Sequence, residues 1–335
     1  MSGPGRSVDR PWTPDEVTIL ANAVNRAPSV HNTQPWGLEV RARSAAVYER
    51  PELTVERHDW TGRDRLISCG TAVTNLELAV RHCGWSTERR LIPEPGTPEL
   101  LARVWAVRPS APSAAEEESF DAIERRASYR REFAARRVPS ARLDVVLRVA
   151  AVDGAQARHV AADKDCFALA ELLEYAARVH QDDIAYQREL AVWTVPDTAR
   201  PQPGHGIPED AFGRTGLPAA GLVTPSAAVP DRDVLAARIA NEAVLVVTTP
   251  GDGRHDHIIA GAAMQRVWLA AISQGLVASV ITQPLRLSEV RTSLAERLGP
   301  VGFPQILLRV GYAVSTAAQG ARGRVSRVFR AEDTG

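Results

Sequence analysis

The stretch Ser68 to Trp85, SCGTAVTNLELAVRHCGW, returns without gaps as Ile259 to Leu276, IAGAAMQRVWLAAISQGL. Gly70 matches Gly261, Ala72 matches Ala263, Leu78 matches Leu269, Ala79 matches Ala270 and Gly84 matches Gly275. Each copy reads as a helix stopped by a glycine, with a strand some way beyond it. Small residues at one end of both let the two helices approach closely, as related halves packed about a pseudo-two-fold axis require. The repeat predicts an α+β fold of two pseudo-symmetric halves, each a small sheet flanked by helices, with the repeat helices at the centre.

Outward from the first copy, Thr13-Pro14-Asp15-Glu16 combines an N-cap, a proline at the first helical position and first-turn acids, opening a helix that runs to about Arg26. Strands are expected at Leu38 to Arg43, Ala46 to Arg50 and Leu101 to Val107, around a long helix from Asp64 to Cys83. The small, proline-bearing and acidic run Pro109 to Glu118 has the composition of a linker, giving halves at 10–110 and 119–335. The second half reads as helices from Ser119, near Ala141, at Asp165 to Gln181 and at His255 to Gln274. Its expected strands are Ala155 to Ala161, Glu242 to Thr249 and Gln305 to Val310. The proline- and glycine-rich stretch 196–230 is long for a connection and is expected to be a lid.

Bulk properties bound the function. The 335 residues are 44% hydrophobic, enough for a sizeable core, and the formal charge is zero, which supplies no general attraction for nucleic acid or anionic lipid. The opening residues lack the apolar run of a signal peptide, and nothing later approaches the ~20 apolar residues of a membrane span. The expectation is a cytoplasmic protein with no nucleic-acid or membrane partner. Cys69, Cys83 and Cys166 have neither zinc nor redox spacing and read as buried thiols. His255 and His257 point in different directions from a helix start, so no metal site is assigned. Lys164 is the only lysine, no Walker-type Gly-Lys-Ser/Thr occurs, and there is neither a Gly-x-Gly-x-x-Gly nor a Gly-x-Ser-x-Gly. Those absences argue against nucleotide hydrolysis, a Rossmann NAD site and a hydrolase elbow.

Three clusters remain in which chemistry could reside. Ala27-Pro28-Ser29-Val30-His31-Asn32-Thr33-Gln34-Pro35-Trp36 turns from a helix end through hydroxyls and amides into a strand, and a plain capped turn is an equal reading. Arg125-Arg126-Ala127-Ser128-Tyr129-Arg130-Arg131-Glu132-Phe133 and Arg322-Gly323-Arg324-Val325-Ser326-Arg327 each place guanidinium groups near a hydroxyl, a combination suited to a phosphate monoester. A solvated charged face is the alternative for both.

These residues resemble the FMN-dependent nitroreductase superfamily. Ala-Pro-Ser-x-x-Asn-x-Gln-Pro-Trp is similar to its signature, and Arg126-x-Ser128-x-Arg130 before Phe133 is similar to its phosphate-binding opening. The resemblance extends through Gly275-Leu276, Pro304 to Gly311 and Arg322-x-Arg324, and in order looks like the Acg-type proteins of actinobacteria, two nitroreductase-like halves fused in one chain. The first half has only a poor arginine-serine opening at Arg6-Ser7, and the second has Ala151-Val152-Asp153 where a second turn falls. One complete FMN site per chain is therefore implied, which a monomer can hold.

By position, the resemblance puts Arg126, Ser128, Arg322 and Arg324 on the FMN phosphate. Arg130 or Arg131 falls at the pyrimidine edge, Pro28, Ser29, Val30, His31 and Asn32 against the ring, and Ser279, Val280, Thr282 and Gln283 near N5. It implies an NAD(P)H-dependent oxidoreductase, with NADH or NADPH as transient donor and a nitroaromatic or quinone-like small molecule as acceptor. The flavin carries the chemistry, so no side chain is assigned as catalytic. Two alternatives share the same ligands: a non-catalytic FMN storage or stress protein with the 196–230 lid over the flavin, and a flavin-dependent oxidase or desaturase of a biosynthetic pathway.

Overall fold

The structure, a computed structural model, describes residues 11–194, 205–208, 216–299, 302–314 and 328–330. Helix α1 (Pro14–Asn25) leads into strands β1 (Trp36–Arg41) and β2 (Ser44–Glu49), then α2 (Arg63–His82), β3 (Trp85–Leu91) and β4 (Leu100–Pro109). After α3 (Ala114–Arg125) and α4 (Ser140–Arg148) come β5 (Gln156–His159), α5 (Asp163–Asp182), α6 (Ile184–Trp193), α7 (Gly216–Gly221) and α8 (Arg232–Asn241). The chain continues through β6 (Ala243–Thr249), α9 (Arg254–Ser273), β7 (Val277–Ile281), α10 (Ser288–Leu298), β8 (Phe303–Gly311) and β9 (Val328–Arg330).

Two sheets result, in the orders β3-β4-β2-β1-β9 and β5-β6-β8-β7. Leaving β9 aside, the orders superpose in reverse: β3 follows α2 as β7 follows α9, and each begins an edge beside an antiparallel neighbour. The expected pseudo-symmetric α+β architecture is therefore present. Strand β9 pairs in parallel with β1, so the end of the chain adds a strand to the sheet of the first half.

The centre is the packing of α2 on α9, both 20 residues long. A Cβ on Gly70 would overlap the Ile258 carbonyl, and a Cβ on Gly261 would overlap that of Ile67 and lie 3.0 Å from Gly70 Cα. Ile67 and Ile258 occupy matching positions of the repeat, so these two contacts are the same contact seen from either half. Arg63 and Arg254 also match, and each reaches the opposite half: Arg63 Nε donates to Gln305 Oε1 of β8 at 3.2 Å, and Arg254 donates to Glu49 of β2 at 2.7 Å. Around this crossing Leu20, Val24, Leu76, Val80, Trp268 and Leu308 are fully buried in one apolar cluster. Each contributes about 1.5–3 kcal/mol in removing its side chain from water.

The expected linker 109–118 is only partly extended. Ser113 accepts from the Glu116 amide while the Glu116 carboxylate accepts from the Ser113 amide at 2.7 Å, a capping box that starts α3 at Ala114, five residues before the expected Ser119. Short β3 and β7 and helices α6, α8 and α10 were not anticipated. Their polar alternation or short length gives weak periodicity. All three cysteines are free and buried. Among the described residues no helix is long and apolar enough to cross a membrane.

Candidate functional site

A cavity of about 820 Å³, counting its mouth, opens between the halves. The first half supplies Pro28, Ser29, Val30 and His31 with Asp64, Ile67 and Ser68 of α2. The second supplies Ser128, Arg130, Met264, Trp268 and the run Ser279 to Gln283.

The turn is held open by strain and by α2. His31, Asn32 and Gln34 have φ of 44°, 57° and 50°, a region that side-chain-bearing residues enter at a cost and keep only when their surroundings hold them. Here Ser68 Oγ accepts from the Val30 amide at 3.0 Å, Thr71 donates to the Pro28 carbonyl at 2.9 Å, and Ser29 Oγ accepts from the Gln34 amide at 3.0 Å. Two of these anchors come from the repeat helix itself.

On the opposite wall, the Tyr129 amide donates to the Ala278 carbonyl at 2.9 Å and Ser128 bridges to Ala278, laying the 128–130 segment along β7. Arg130 lines the cavity and makes no hydrogen bond or ion pair with any described residue. Burial alone lowers it to about 10. Arg131 is exposed, which identifies Arg130 as the cavity-facing member of the pair. A half-buried guanidinium without an acidic partner is costly, and an anionic or electron-rich ligand in the cavity would satisfy it. The cavity wall thus fits the group that the sequence resemblance implies.

His31 carries the second feature. Its Nε2 lies 2.5 Å from His58 Nδ1, and His58 Nε2 lies 2.9 Å from the Tyr186 carbonyl. A carbonyl only accepts, so His58 donates from Nε2, accepts at Nδ1, and receives the His31 Nε2–H. Tyr186 is stacked between His58 and His180, with ring centroids at 3.8 and 4.5 Å, and His180 Nε2–H donates to the Gln283 carbonyl at 3.0 Å. Gln283 Nε2 returns to the His58 carbonyl at 3.3 Å. The chain of contacts joins the turn to the Ser279–Gln283 wall through one residue of α6. Burial holds His58 and His180 at about 4. Burial first, then the neighbouring His58 and Arg130, keep His31 well below the ordinary imidazole range.

Of the residues assigned from sequence, Pro28, Ser29, Val30, His31, Ser128, Arg130, Ser279, Val280, Thr282 and Gln283 meet at this cavity. Asn32 and Arg126 do not line it. Arg126 is buried with its guanidinium 4.8 Å from the Trp268 ring centre and donates to the Arg26 carbonyl at 3.2 Å, behind the wall that Trp268 presents. Arg6, Ser7, Arg322 and Arg324 lie outside the described residues. Sequence reasoning missed Asp64, Ile67, Ser68, Met264 and Trp268 as lining residues, although the repeat alignment contained the last three. Ile207, Gly221 and Leu222, from the stretch 196–230, also line the cavity.

The pseudo-symmetric counterpart position carries a cluster of ion pairs. Glu77 stands where Trp268 stands in the other repeat, and it pairs with Arg89 at 3.3 Å and Arg266 at 3.5 Å. Arg89 also pairs with Asp153, in the segment where a second Pro-Ser turn was lacking.

No family model matches the chain. Proteins of Mycobacterium tuberculosis H37Rv do: "Putative NAD(P)H nitroreductase Rv3131", 33% identical over 308 residues, covers 88% of this chain and 84% of its own. The protein named for acg in the same terms is 26% identical over 305 residues, covering 90% of each chain. Among solved structures, iodotyrosine deiodinase bound to FMN and 3-iodo-L-tyrosine aligns with a TM-score of 0.44 at 16% identity, over 64% of this chain and 100% of its own. The 33% identity to Rv3131, spread over most of both chains, makes this protein a member of the nitroreductase superfamily.

Proposed function

We propose that the chain binds one FMN in the cavity between its halves and acts as an NAD(P)H-dependent oxidoreductase on a small nitroaromatic or quinone-like acceptor. The observation that carries this is Arg130, a guanidinium on the cavity wall without a partner among the described residues, facing a strained turn supplied by the other half. When bound, FMN supplies two-electron redox chemistry.

The protein's part is to hold and tune. Arg130 favours negative charge at the ring edge, as guanidinium groups do in a desolvated site. Ser128 offers a hydroxyl beside it, and Arg126 steadies Trp268 from behind. The Pro28–His31 turn closes one side of the slot and Ser279–Gln283 the other. Arg322 and Arg324 complete the phosphate ligands in this reading.

A second reading, storage or sequestration, is favoured by one observation: Ile207, Gly221 and Leu222, described residues of the stretch 196–230, line the cavity, as a cover over the flavin would require. Anaerobic mixing of FMN-loaded protein with NADH and then NADPH separates the two. Rapid bleaching of the flavin supports the reductase; a flavin that stays oxidised with both nucleotides but accepts electrons from dithionite supports sequestration or a pathway oxidase.

A further inference from the structure

We propose that His31 is the proton-holding residue of the cavity, taking up one proton at Nδ1 when two-electron reduction places negative charge beside it; this rests on the FMN reading above.

The geometry singles out that atom. Among the described residues, three ionisable ones line the cavity: His31, Asp64 and Arg130. Asp64 is paired with Arg63 at 2.6 Å, both buried, and also accepts from Gln283 at 3.4 Å, so protonating it would break a buried ion pair. Arg130 stays a cation. Within the imidazole pair, a proton placed on His58 Nδ1 would displace the His31 Nε2–H that it accepts. A proton on His31 Nδ1 breaks nothing, because that nitrogen bonds to no described residue while Nε2 continues to donate to His58.

The charges facing His31 set when the proton arrives. Arg130 lies across the cavity, His58 lies on the far side of the ring, and Trp193 of α6 packs beside it. Behind His58 stand Tyr186, His180, Arg286 and Asp183. With the cavity neutral, burial first, then His58 and Arg130, keep His31 neutral. Negative charge beside the ring attracts a proton to it directly and offsets the Arg130 repulsion, both acting against burial. The balance closes: NAD(P)H gives a hydride, solvent gives one proton that rests on His31, and both leave with the acceptor as it gains two hydrogens. His58, locked by the Tyr186 carbonyl, is the positioning residue that fixes which nitrogen is open.

The test is the pH dependence of the two-electron midpoint potential of FMN-loaded protein between pH 6 and 8. Each proton taken up contributes about 30 mV per pH unit, the shift of a tenfold concentration change for two electrons. Wild type is expected to follow the two-proton slope and His31→Gln the one-proton slope. His58→Phe, which keeps the ring against Tyr186 but removes the acceptor, moves the break in slope to lower pH. A flavin-loaded His31→Gln protein with the wild-type slope overturns the proposal, because the flavin itself then takes the second proton. A chain that takes up no FMN overturns the cofactor reading and this inference with it.

Discussion

Gly70 and Gly261 lie against each other where α2 crosses α9, each beneath the carbonyl of the isoleucine three residues before its counterpart. The crossing is therefore the point through which the pseudo-two-fold axis passes, and it holds the two cavity walls in register: Ile67 and Ser68 sit just before Gly70, Met264 and Trp268 just after Gly261.

Gly261→Ala should lower stability by about 1–3 kcal/mol, the usual cost of forcing atoms into a packed interior, because backbone on both sides must move apart. Urea unfolding monitored by circular dichroism would show a lower midpoint with an unchanged slope. Gly96→Ala, which meets nothing within 4 Å, serves as the control. Equal midpoints for the two variants would argue against the close crossing.

Arg130→Met should weaken FMN binding about 10- to 100-fold, from loss of a charge-assisted contact of ~1.5–3 kcal/mol. Fluorescence quenching of free FMN on titration with protein reads this directly. Arg131→Met should bind FMN as wild type does, since its side chain is exposed. Reversal of that order would move the cavity-facing role to Arg131.

Stability should rise between pH 4 and 6.5. His58 and His180 bind protons near 6.5 when unfolded but only near 4 in the fold, so the stability they carry is full above 6.5 and disappears as pH falls through 4. Asp59 runs the other way. Burial, then the Asp64 charge, raise it to about 7, so its contribution is present below its unfolded value and lost as pH rises through 7. His31 is lowered in the same direction, so the imidazoles outweigh the one carboxyl and set the sign, each net proton being worth ~1.4 kcal/mol per pH unit. His180→Phe, which preserves a ring against Tyr186, should flatten the dependence of the denaturation midpoint by a similar amount; an unaltered dependence would count against the buried neutral imidazole.

Leu222→Ala, at a residue lining the cavity from the 196–230 stretch, should speed reduction of the bound flavin by dithionite at least severalfold if that stretch covers it. Stopped-flow absorbance gives the rate, and an unchanged rate would remove the lid from the account.

Much of this was legible in the residues. The matched glycines announced the crossing, because only a glycine allows backbone to approach that closely from both sides. The Pro28–Asn32 turn and the Arg126–Arg130 run pointed to their positions on opposite halves. What the sequence concealed is of another kind. His58, Tyr186 and His180 are far apart in the chain and carry no motif; only the docking of α6 brings their rings together. Arg126 was assigned to the phosphate and Arg130 to the pyrimidine edge, yet the helix end at Arg125 turns the Arg126 side chain onto Trp268 and leaves only Arg130 at the cavity. The pairing of Glu77 with Arg89 at the counterpart position also carries no motif in the sequence.

The central claim is one FMN, in one cavity, per chain. The most direct measurement is the flavin absorbance of the purified protein after saturation with FMN and removal of the excess, scaled to protein concentration, for wild type and Arg130→Met side by side. The account predicts a yellow wild-type protein with about one FMN per chain and substantial loss of flavin from the variant. A colourless wild type, or two FMN per chain, would contradict it.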